Sequence, residues 1–342
     1  MSKRLLLIGR SGGTHLAKSL FRASEVFSTH LSTQLIDVQS AYEGSKLYRQ
    51  LNWHLLGKRP PNLRSFNLVV MNTCTKFQPD CLIATGIAPL RSQTLQKISD
   101  LGIRTVNFIT DDPWNPAHYA KWFLDALPQY TTVFSPRRAI IAELSQIGCQ
   151  DVRYLPFGYD PHLFYRISPT VVECEAHASD VMFAGGGDRD RIPYISALIN
   201  AGIKVGLYGG YWERYHETRE HNRGLADIET VRLAIHSAKI ALCLVRRANR
   251  DGHVMRTFEV PAVGACMLTE DTADHREIFG EDGESVVYFQ TISEMVEKTR
   301  WLLAHPEERQ RLSIAAHKKI VQGHHTYSDR LKSMIENTSI TF

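Results

Sequence analysis

Short β-like runs alternate with helix-like windows along most of the chain, and this alternation constrains the fold more than any other feature. The window at 89–102 starts with Pro and ends with Gly, as helices often do. Alternating strands and helices predict parallel sheets flanked by helices, so the expected fold class is α/β. The β-like runs of the first half are residues 4–9, 33–38, 81–86, 104–110, 131–135 and 152–158.

The alternation stops over residues 154–180, which contain three prolines and show no clear period. It resumes with runs at 181–186, 204–210, 239–245, 264–270 and 285–290. Ligands bind at the carboxyl ends of strands in open α/β sheets, so we expect two parallel sheets facing each other across a ligand-binding cleft. We predict two Rossmann-like domains, 1–160 and 179–322, joined by a linker at 161–178, with a C-terminal helix at 323–342 packing back across the domain junction.

The composition fits a protein with two substantial cores and argues against several other classes. Apolar residues make up 43% of the 342 residues, and no apolar run reaches the roughly 18 residues that a membrane span needs. The apolar stretch near the N-terminus is too short for a signal peptide, and the six cysteines form no C-x-x-C pair. We therefore expect reduced thiols and a cytoplasmic protein.

The formal charge of +4 is spread along the chain in basic pairs such as Arg137-Arg138 and Lys318-Lys319. This spread is too diffuse for nucleic acid, so we predict no nucleic-acid partner. It suits an anionic small ligand, and it leaves peripheral association with the inner face of a membrane open. Ordinary solvated surface charge is the simpler explanation.

Gly12, Gly13 and His15 follow the first β-like run and precede a helix-like window. Amide N–H groups in such a turn can face an anion, although the glycine spacing matches neither G-x-G-x-x-G nor a P-loop. His15 is a candidate general base at the cleft. A capping or packing role is the alternative for this histidine.

The run at 104–110 is followed by Asp111, Asp112, Trp114 and Asn115. Adjacent carboxylates repel each other, so they need hydroxyl or cationic partners. An aromatic ring beside such carboxylates is a common arrangement for holding a sugar or another polyol. These residues are therefore candidate acceptor contacts and Asp112 a candidate base, while capping of the following helix is an equally weighted alternative.

Gly185, Gly186 and Gly187 lead into the D-x-D sequence of residues 188–190. A D-x-D sequence holds a divalent ion in some enzymes that use diphosphates, but Asp is also ordinary at a helix N-terminus. We predict no metal. The glycines together with Arg189 or Arg191 are expected to contact a diphosphate directly, because arginine offers a forked set of donors to phosphate oxygens.

Residues 251–264 place charged side chains beside an apolar stretch. Pro261 has no N–H and is best tolerated in the first turn of a helix, so we expect the helix to begin no earlier than about residue 258. Glu259 would then lie beside unpaired amides and accept hydrogen bonds from ribose hydroxyls, while Arg256 and the helix amides face phosphates. Asp251 would lie in the loop before the helix, and a capped surface helix is the alternative.

Several segments resemble the CgeB-like glycosyltransferases, which are related to a large retaining group with an acid-x7-acid motif. Residues 251–289 and 304–331 look like the donor half of these enzymes. Residues 154–164 look like the linker of the retaining group, and "DDPW" at 111–114 occurs at the corresponding place in the acceptor half. The resemblance implies a GT-B fold.

This resemblance implies a glycosyltransferase that binds a nucleotide-diphosphate sugar in its second domain, with no cofactor and no obligatory metal. Glu259 occupies the position that binds the donor ribose. Asp251 occupies the position that contacts the transferred sugar, where the group usually has Glu. The other implied donor contacts are Gly185, Gly186, Gly187, Arg189, Arg191, Gly209, Arg256, Thr257 and Phe258.

The acceptor, the donor base and sugar, and the oligomeric state are left open. Retention of anomeric configuration, the favoured outcome, requires no protein base, whereas inversion requires one, for which His15 and Asp112 are the candidates. A degenerate GT-B module that binds without catalysis and a nucleotide-sugar 2-epimerase are the alternative functions. The expected acceptor contacts are Gly12, Gly13, Asp111, Trp114 and Asn115.

Overall fold

The computed structural model of the protein describes residues 3–12 and 15–336, apart from the side chain of Tyr48. The chain forms two compact units. The first unit contains the chain up to Pro156, the short segment Ala248–Asp251 and the chain from Tyr327 onward. The second unit contains Phe157–Arg247 and Gly252–Thr326. The predicted domain limits at 160 and 179 do not include the short segment in the first unit.

Strands and helices alternate through the first unit. Its strands are β1 (Lys3–Gly9), β2 (Leu31–Asp37), β3 (Cys81–Thr85), β4 (Arg104–Phe108), β5 (Thr132–Ser135) and β6 (Val152–Tyr154). Its helices up to this point are α1 (Leu16–Glu25), α2 (Lys46–Leu55), α3 (Leu63–Phe77), α4 (Ser92–Asp100), α5 (Lys121–Leu124) and α6 (Ile141–Gln146). The strands pair in parallel in the order β2-β1-β3-β4-β5-β6.

The central strands of this sheet are apolar because helices cover the sheet. Leu5, Leu6, Leu7 and Ile8 of β1 are all buried, as expected for a parallel strand in the middle of a sheet. At Gly9, which ends β1, a Cβ atom would collide with the side chains of Thr85 and Ala17. Glycine therefore allows the turn after β1 to pass close to β3 and α1.

The second unit repeats the scheme with five parallel strands. They are β7 (Ser179–Ala184), β8 (Val205–Tyr208), β9 (Ala238–Cys243), β10 (Met267–Glu270) and β11 (Val287–Phe289). The helices are α7 (Val171–His177), α8 (Ile192–Asn200), α9 (Ile228–Ser237), α10 (Arg256–Val263), α11 (Ala273–Phe279), α12 (Ile292–Ala304) and α13 (Pro306–Gln322). The strand order is β11-β10-β9-β7-β8.

The last described helix, α14 (Tyr327–Glu336), belongs to the first unit and packs against α1. Arg330 on this helix donates a hydrogen bond from Nε to the carbonyl oxygen of Pro156 at 2.8 Å. Residues 337–342, the end of the predicted C-terminal helix, lie outside the described residues. Within the described residues, this helix begins at Tyr327, four residues later than predicted.

The α/β prediction is confirmed, because each of the predicted runs overlaps one strand of a parallel sheet. The predicted runs often extend past the carboxyl end of the strand, as at 152–158, because the apolar composition continues where the ladder has ended. The linker was expected to lack periodic structure, but α7 forms there, and Thr170 and Glu173 make reciprocal hydrogen bonds at its start.

All six cysteines are free thiols, and five of them are buried. Burial raises the pKa of the Cys74 and Cys149 thiols to about 11. These thiols therefore stay protonated at neutral pH and pack as small apolar groups. Among the described residues, none of the helices has the length and apolar character needed to cross a membrane.

Candidate functional site

In the second unit, the strand order reverses direction at β7. The chain runs from β7 through α8 to β8 on one side, while β9 pairs with β7 on its other side. Ligands bind at the carboxyl ends of strands at such a switch point. The glycine turn after β7, the turn after β8 and the segment between β9 and α10 all leave the sheet at this edge.

The glycine turn after β7 packs closely against the turn after β8. The N–H of Gly185 donates to Tyr208 O at 2.8 Å, and the N–H of Gly187 donates to Gly210 O at 2.9 Å. Gly209 has φ 147°, and a Cβ atom there would collide with the carbonyl of Gly185. Glycine is therefore required for the approach of the two turns, and these two N–H groups are already used within the fold.

Aromatic side chains close the same turn from one side. A Cβ atom on Gly185 would lie 2.9 Å from the Phe183 ring, and one on Gly187 would lie 3.0 Å from the Trp212 ring. Trp212 Nε1 donates to Gly185 O at 2.8 Å. Gly186 has more room, with no atom closer than 3.6 Å to a Cβ built there. Of the three glycines predicted to contact a diphosphate, Gly186 is the one at which packing would not exclude a Cβ atom.

Arg191 lies at the start of α8, where its side chain folds back onto the glycine turn. Its Nη1 donates to Gly186 O at 2.9 Å, and its guanidinium lies 5.3 Å from the centre of the Phe183 ring. Asp188 accepts hydrogen bonds from the backbone N–H groups of Asp190 and Arg191. Asp188 therefore caps this turn, whereas Arg189 is exposed.

The helix predicted from Pro261 begins earlier than expected. α10 starts at Arg256, and Pro261 lies inside it rather than in its first turn. The missing N–H removes one hydrogen bond, to the carbonyl of residue 257, but every residue from Thr257 to Val263 is buried. Burial of the helix outweighs the local penalty of proline. Gly264 ends the helix with φ 90°, as predicted.

The amides at the start of α10 are not unpaired, which corrects a second expectation. The N–H groups of Phe258 and Glu259 both donate to Met255 O, at 3.0 and 3.1 Å, and that of Thr257 donates to Val254 O at 3.0 Å. Met255 already has helical φ and ψ, so a tight turn precedes the helix and supplies these acceptors. Three of the amides expected to face phosphates are therefore bonded within the chain.

Glu259 and Arg256 form an ion pair one turn apart on α10. The Glu259 side chain is 2% exposed and that of Arg256 is 28% exposed. The guanidinium of Arg256 also lies 5.8 Å from the centre of the Phe164 ring. Glu259 is thus a buried carboxylate with a cationic partner, and Arg256 keeps part of its guanidinium in contact with solvent.

Thr257 and Phe258 are both fully buried, so their side chains serve the packing around α10. The Thr257 hydroxyl lies 3.0 Å from His275 Nε2 and accepts the N–H of Val254 at 3.1 Å. The Phe258 ring packs edge-on against His253, with ring centres 5.6 Å apart.

His253 is held on both ring nitrogens, a feature that the sequence analysis missed. Its Nδ1 lies 2.9 Å from an Asp274 carboxylate oxygen, and its Nε2 accepts the N–H of Phe157 at 3.1 Å. A Cβ atom on Gly252 would collide with Asp274. The loop from Gly252 to Arg256 is therefore positioned by side chains from α11, and only the proximity of Asp and His to the motif hinted at this in the sequence.

Glu270, at the carboxyl end of β10, is a second buried carboxylate at this edge of the sheet. Its Oε2 accepts the N–H of Val245 at 2.7 Å, and Arg247 Nη2 lies 3.4 Å from its Oε1. Burial raises the pKa of Glu270 above its ordinary value, despite the hydrogen bond from Val245 and the Arg247 charge. Arg247 also donates to the hydroxyl of Tyr194. The sequence analysis did not single out these residues.

In the first unit, Asp112 is engaged by Arg250. Arg250 Nε donates to Asp112 Oδ2 at 2.6 Å, and Arg250 also donates to both oxygens of Glu143, at 2.8 and 2.7 Å. Asp112 Oδ1 accepts the N–H of Trp114 at 2.9 Å. The two hydrogen bonds from Arg250 to Glu143 form the bidentate arrangement in which arginine binds a carboxylate most strongly.

Asn249 connects the same segment to the other predicted acceptor residues. Its Nδ2 donates to Asp111 Oδ1 at 3.1 Å, and its Oδ1 accepts from Asn115 Nδ2 at 2.7 Å. Asp111 also lies 3.5 Å from His118 Nε2. The structure therefore brings Asp111, Asp112 and Asn115 together, with partners 134 or more residues away in the sequence.

Asp251 forms a buried ion pair with Arg137 in the first unit. Arg137 Nε lies 2.5 Å from Asp251 Oδ1, and both side chains are 2% exposed. Arg137 Nη2 donates to Thr110 O at 2.7 Å. Asp251 is counted with the first unit and Glu259 with the second, so the two acids of the proposed motif belong to different compact units. The sugar-contacting role of Asp251 stays a prediction.

An open pocket of about 440 Å³ lies beside these residues in the first unit, lined in part by Asp112, Trp114, Asn115, Glu143, Ile147 and Arg250. The guanidinium of Arg250 lies 6.0 Å from the centre of the Trp114 ring. The pocket thus combines an aromatic face with amide and charged groups, which is a common composition of sites for polar ligands.

His15 lies at the N-terminal end of α1, after the turn that follows β1, and makes no side-chain capping hydrogen bond. Burial and the Arg10 charge lower the pKa of His15, and the opposing effect of Asp37 is smaller. His15 is therefore neutral at pH 7, the form that a general base needs. A Cβ atom built on Gly12 meets nothing within 4 Å, and Gly13 lies outside the described residues.

Across residues 3–12 and 15–336, no group of three or more His, Cys, Asp or Glu side chains is arranged to hold a metal ion. Asp188 of the D-x-D sequence is used for capping, as described above. Metal independence stays a prediction, because it concerns the reaction and not the arrangement of these side chains alone.

Known proteins resemble the chain in sequence and in fold. Residues 191–336 match a family model described as glycosyl transferase-like. The chain is 20% identical over 264 residues to the spore protein CgeB of Bacillus subtilis (strain 168), and the match covers 72% of this chain and 78% of CgeB.

Two solved structures span nearly the whole chain. Anabaena Alr3699/HepE in complex with UDP-glucose has a TM-score of 0.61 at 14% identity, covering 98% of this chain and 99% of that chain. A protein from Listeria monocytogenes described as a putative UDP-N-acetylglucosamine 2-epimerase has a TM-score of 0.59 at 10% identity, covering 100% and 98%. These likenesses show the fold. Together with the match of residues 191–336 and the similarity to CgeB, they support a CgeB-like glycosyltransferase with a GT-B fold.

Proposed function

We propose that the protein transfers a sugar from a nucleotide-diphosphate sugar, with UDP-sugars as the first donors to test. The observation that carries this proposal is the ion pair of Glu259 with Arg256 at the start of α10, at the edge of the second sheet where ligands bind in this fold class. The UDP-glucose bound by HepE, which shares the fold, supports the choice of donor.

In this proposal Glu259 accepts hydrogen bonds from the donor ribose. The cationic Arg256 side chain compensates the charge of this buried carboxylate, and an ionised carboxylate only accepts hydrogen bonds. The Arg256 side chain is 28% exposed, and a guanidinium is a strong hydrogen-bond donor to phosphate oxygens. The two side chains would thus divide the nucleotide between them.

The difficult step is departure of the nucleoside diphosphate. The bond between the sugar C1 and the phosphate oxygen breaks, an acceptor oxygen bonds to C1, and the acceptor proton leaves with the departing group or with a base. Arg256, with Arg191 beside the glycine turn, would stabilise the negative charge that grows on the phosphate. This assignment needs no metal ion, so activity should persist in EDTA.

We also propose that the reaction proceeds with retention. Asp112, one of the two candidate bases for inversion, has both carboxylate oxygens engaged by Arg250. His15 is the remaining candidate base for inversion. Retention requires no protein base, so it is compatible with an engaged Asp112.

The acceptor is proposed to bind in the pocket of the first unit. A polyol would place an apolar ring face on Trp114 and hydroxyl groups near Asn115 and Glu143, which line the pocket. The chemical class of the acceptor is therefore a sugar or another polyol, free or attached to a larger molecule.

A nucleotide-sugar 2-epimerase is the second candidate, favoured by the likeness to the Listeria protein. A non-catalytic module that binds a sugar nucleotide is the third, because Asp251 replaces the usual Glu and is held in an ion pair. An epimerase converts one nucleotide sugar into another, whereas a transferase releases the nucleotide. Product analysis therefore separates the three.

The experiment incubates the protein with UDP-, GDP- and dTDP-sugars in EDTA, with and without a mixture of polyol acceptors. We expect acceptor-dependent release of one nucleoside diphosphate. A changed sugar on an intact nucleotide would establish the epimerase. Thermal stabilisation by a donor without any turnover would establish the binding module.

The anomeric outcome is read from the product by NMR, by comparing the coupling constant at C1 with that of the donor. We expect the same configuration in both. An inverted product would contradict retention, and loss of activity in His15→Ala without loss of fold would then identify the base.

A further inference from the structure

The segment at residues 44–79, which contains α2 and α3, has an unusual charge composition. It carries six Lys and Arg residues and no Asp or Glu. The whole chain has 40 Lys and Arg against 36 Asp and Glu, so the rest of the chain has fewer cations than anions. The net positive charge of the protein therefore comes from this segment. Counting basic pairs along the sequence does not reveal this, because acids elsewhere balance the other basic residues.

α2 exposes large apolar side chains along one face. Leu47, Leu51 and Leu55 are spaced four residues apart, which places them on the same side of a helix. They are 79%, 49% and 73% exposed. Exposed leucines occur singly on most proteins, but a stripe on one helix marks an interaction surface.

Other large apolar side chains between residues 46 and 69 are exposed as well. Trp53, Leu56, Leu68 and Val69 are also exposed, the last two on α3. The Nζ of Lys58 lies 5.5 Å from the centre of the Trp53 ring. We call the exposed side chains of residues 46–69 the α2–α3 surface.

Cationic side chains share the α2–α3 surface with the leucines. Lys46, Arg49 and Arg64 are exposed, and Arg59 is half-buried. Arg49 and Trp53 are one turn apart on the side of α2 that faces away from the leucine stripe. An exposed helix that combines apolar residues with Lys and Arg and lacks acids has the composition of helices that lie in the interface of a bilayer.

We propose that the α2–α3 surface binds the anionic face of a phospholipid bilayer. The leucine side chains would enter the region between headgroups and acyl chains, and the cations would lie among the headgroup phosphates. Because residues 44–79 contain no Asp or Glu, no carboxylate of this segment would be repelled by the anionic headgroups. Nearly all described side chains of α2 are exposed, so the leucines lie on a protruding surface and not in a groove. A protruding surface fits a lipid bilayer better than an acidic segment of another protein.

The test measures co-flotation of the full chain with vesicles of phosphatidylcholine alone and with about 30% phosphatidylglycerol. We expect binding to the anionic vesicles at about 0.1 M salt and its loss at about 0.5 M, because the higher salt screens surface charges. Replacing Arg49, Arg59 and Arg64 by Gln together should weaken binding by roughly 100-fold, since each cation near an anionic surface contributes roughly fivefold.

A second variant replaces Leu47, Leu51 and Leu55 by Ser, and it should weaken binding by at least about tenfold because apolar contact is lost. The matched controls remove equal charge or apolar area elsewhere. The charge control is a triple variant with Lys121→Gln, Arg214→Gln and Lys239→Gln. The apolar control is a triple variant with Val171→Ser, Val172→Ser and Leu225→Ser, and all six positions are exposed. Both controls should bind as the unmodified protein does.

Circular dichroism and thermal unfolding establish that the variants fold. No binding to anionic vesicles by the unmodified protein would overturn the proposal. Binding by the arginine and leucine variants that equals that of the unmodified protein would overturn it as well. Binding to polyglutamate but not to vesicles would also overturn it and would point to an acidic protein partner. Donor turnover in solution is measured separately, so failure of the membrane proposal is distinguishable from failure of the proposed function.

Discussion

Replacing Arg137 by Met removes the partner of a buried carboxylate. Arg137 and Asp251 are each 2% exposed and lie 2.5 Å apart, so neither charge can be solvated without rearrangement. Breaking such a pair by removing one partner costs about 3–5 kcal/mol, because the other charge is left buried and uncompensated. The hydrogen bond from Arg137 to Thr110 O is lost as well.

Arg137 and Asp251 both belong to the first compact unit, so we expect this unit to lose stability. For a unit of this size, about 3–5 kcal/mol corresponds to a decrease in Tm of roughly 6–20 °C. Calorimetry detects the shift if the two units unfold in separate transitions, and hydrogen exchange of β4 and β5 assigns it to the first unit. The double variant Arg137→Met with Asp251→Asn should be more stable than Arg137→Met alone, because the buried negative charge has been removed.

Lys121→Met is the matched control, since it also breaks an ion pair of the first unit, with Asp125, but both side chains are exposed. Its Tm should change little. The reasoning is refuted if Arg137→Met is no more destabilising than this control. It is also refuted if adding Asp251→Asn restores nothing, because the effect would then not come from an unpaired charge.

Two further predictions concern the second unit. Burial lowers the pKa of His275 from 6.5 to about 4. Between these pH values the unfolded chain binds a proton that the folded chain does not. The free energy of unfolding should therefore fall by about 3 kcal/mol as the pH falls from about 6.5 to 4. Urea unfolding at several pH values checks this, and an equal pH dependence in His275→Asn would contradict it. Gly264→Ala should lower the unfolding free energy by about 1–2 kcal/mol plus a steric contribution, because φ is 90° and the new Cβ would lie 2.8 Å from Arg166 Nε. Gly202→Ala, with φ 78° and open space, should show the backbone effect alone, and an equal loss in both variants would argue against the steric contribution.

The sequence predicted the sheets because their signal is local. A parallel strand buried on both faces reads as a continuous apolar run, and such runs are visible without knowing what packs on them. The turn glycines were also recognisable, although the reason for Gly185 and Gly187 is contact with aromatic rings as much as contact with a ligand.

The cluster around Asp112 was not predictable in the same way. Its partners, Asn249 and Arg250, are 134 to 138 residues away, and no local pattern links them to the acids after β4. The start of α10 was predicted wrongly because the rule for Pro261 describes an isolated helix, whereas this helix is buried from Thr257 to Val263. In both cases tertiary contacts decide, and a single sequence does not reveal them.

Glu259 is proposed to hold the ribose of a nucleotide-sugar donor, and the kcat/KM of Glu259→Gln measures the strength of that contact. We predict that the unmodified protein releases nucleoside diphosphate in EDTA and that Glu259→Gln lowers kcat/KM by roughly 10- to 100-fold, the effect of losing hydrogen bonds to a charged group. Glu297→Gln, at an exposed position on α12, should keep full activity. Thermal unfolding shows whether Glu259→Gln folds. An unchanged kcat/KM in folded Glu259→Gln would contradict the account.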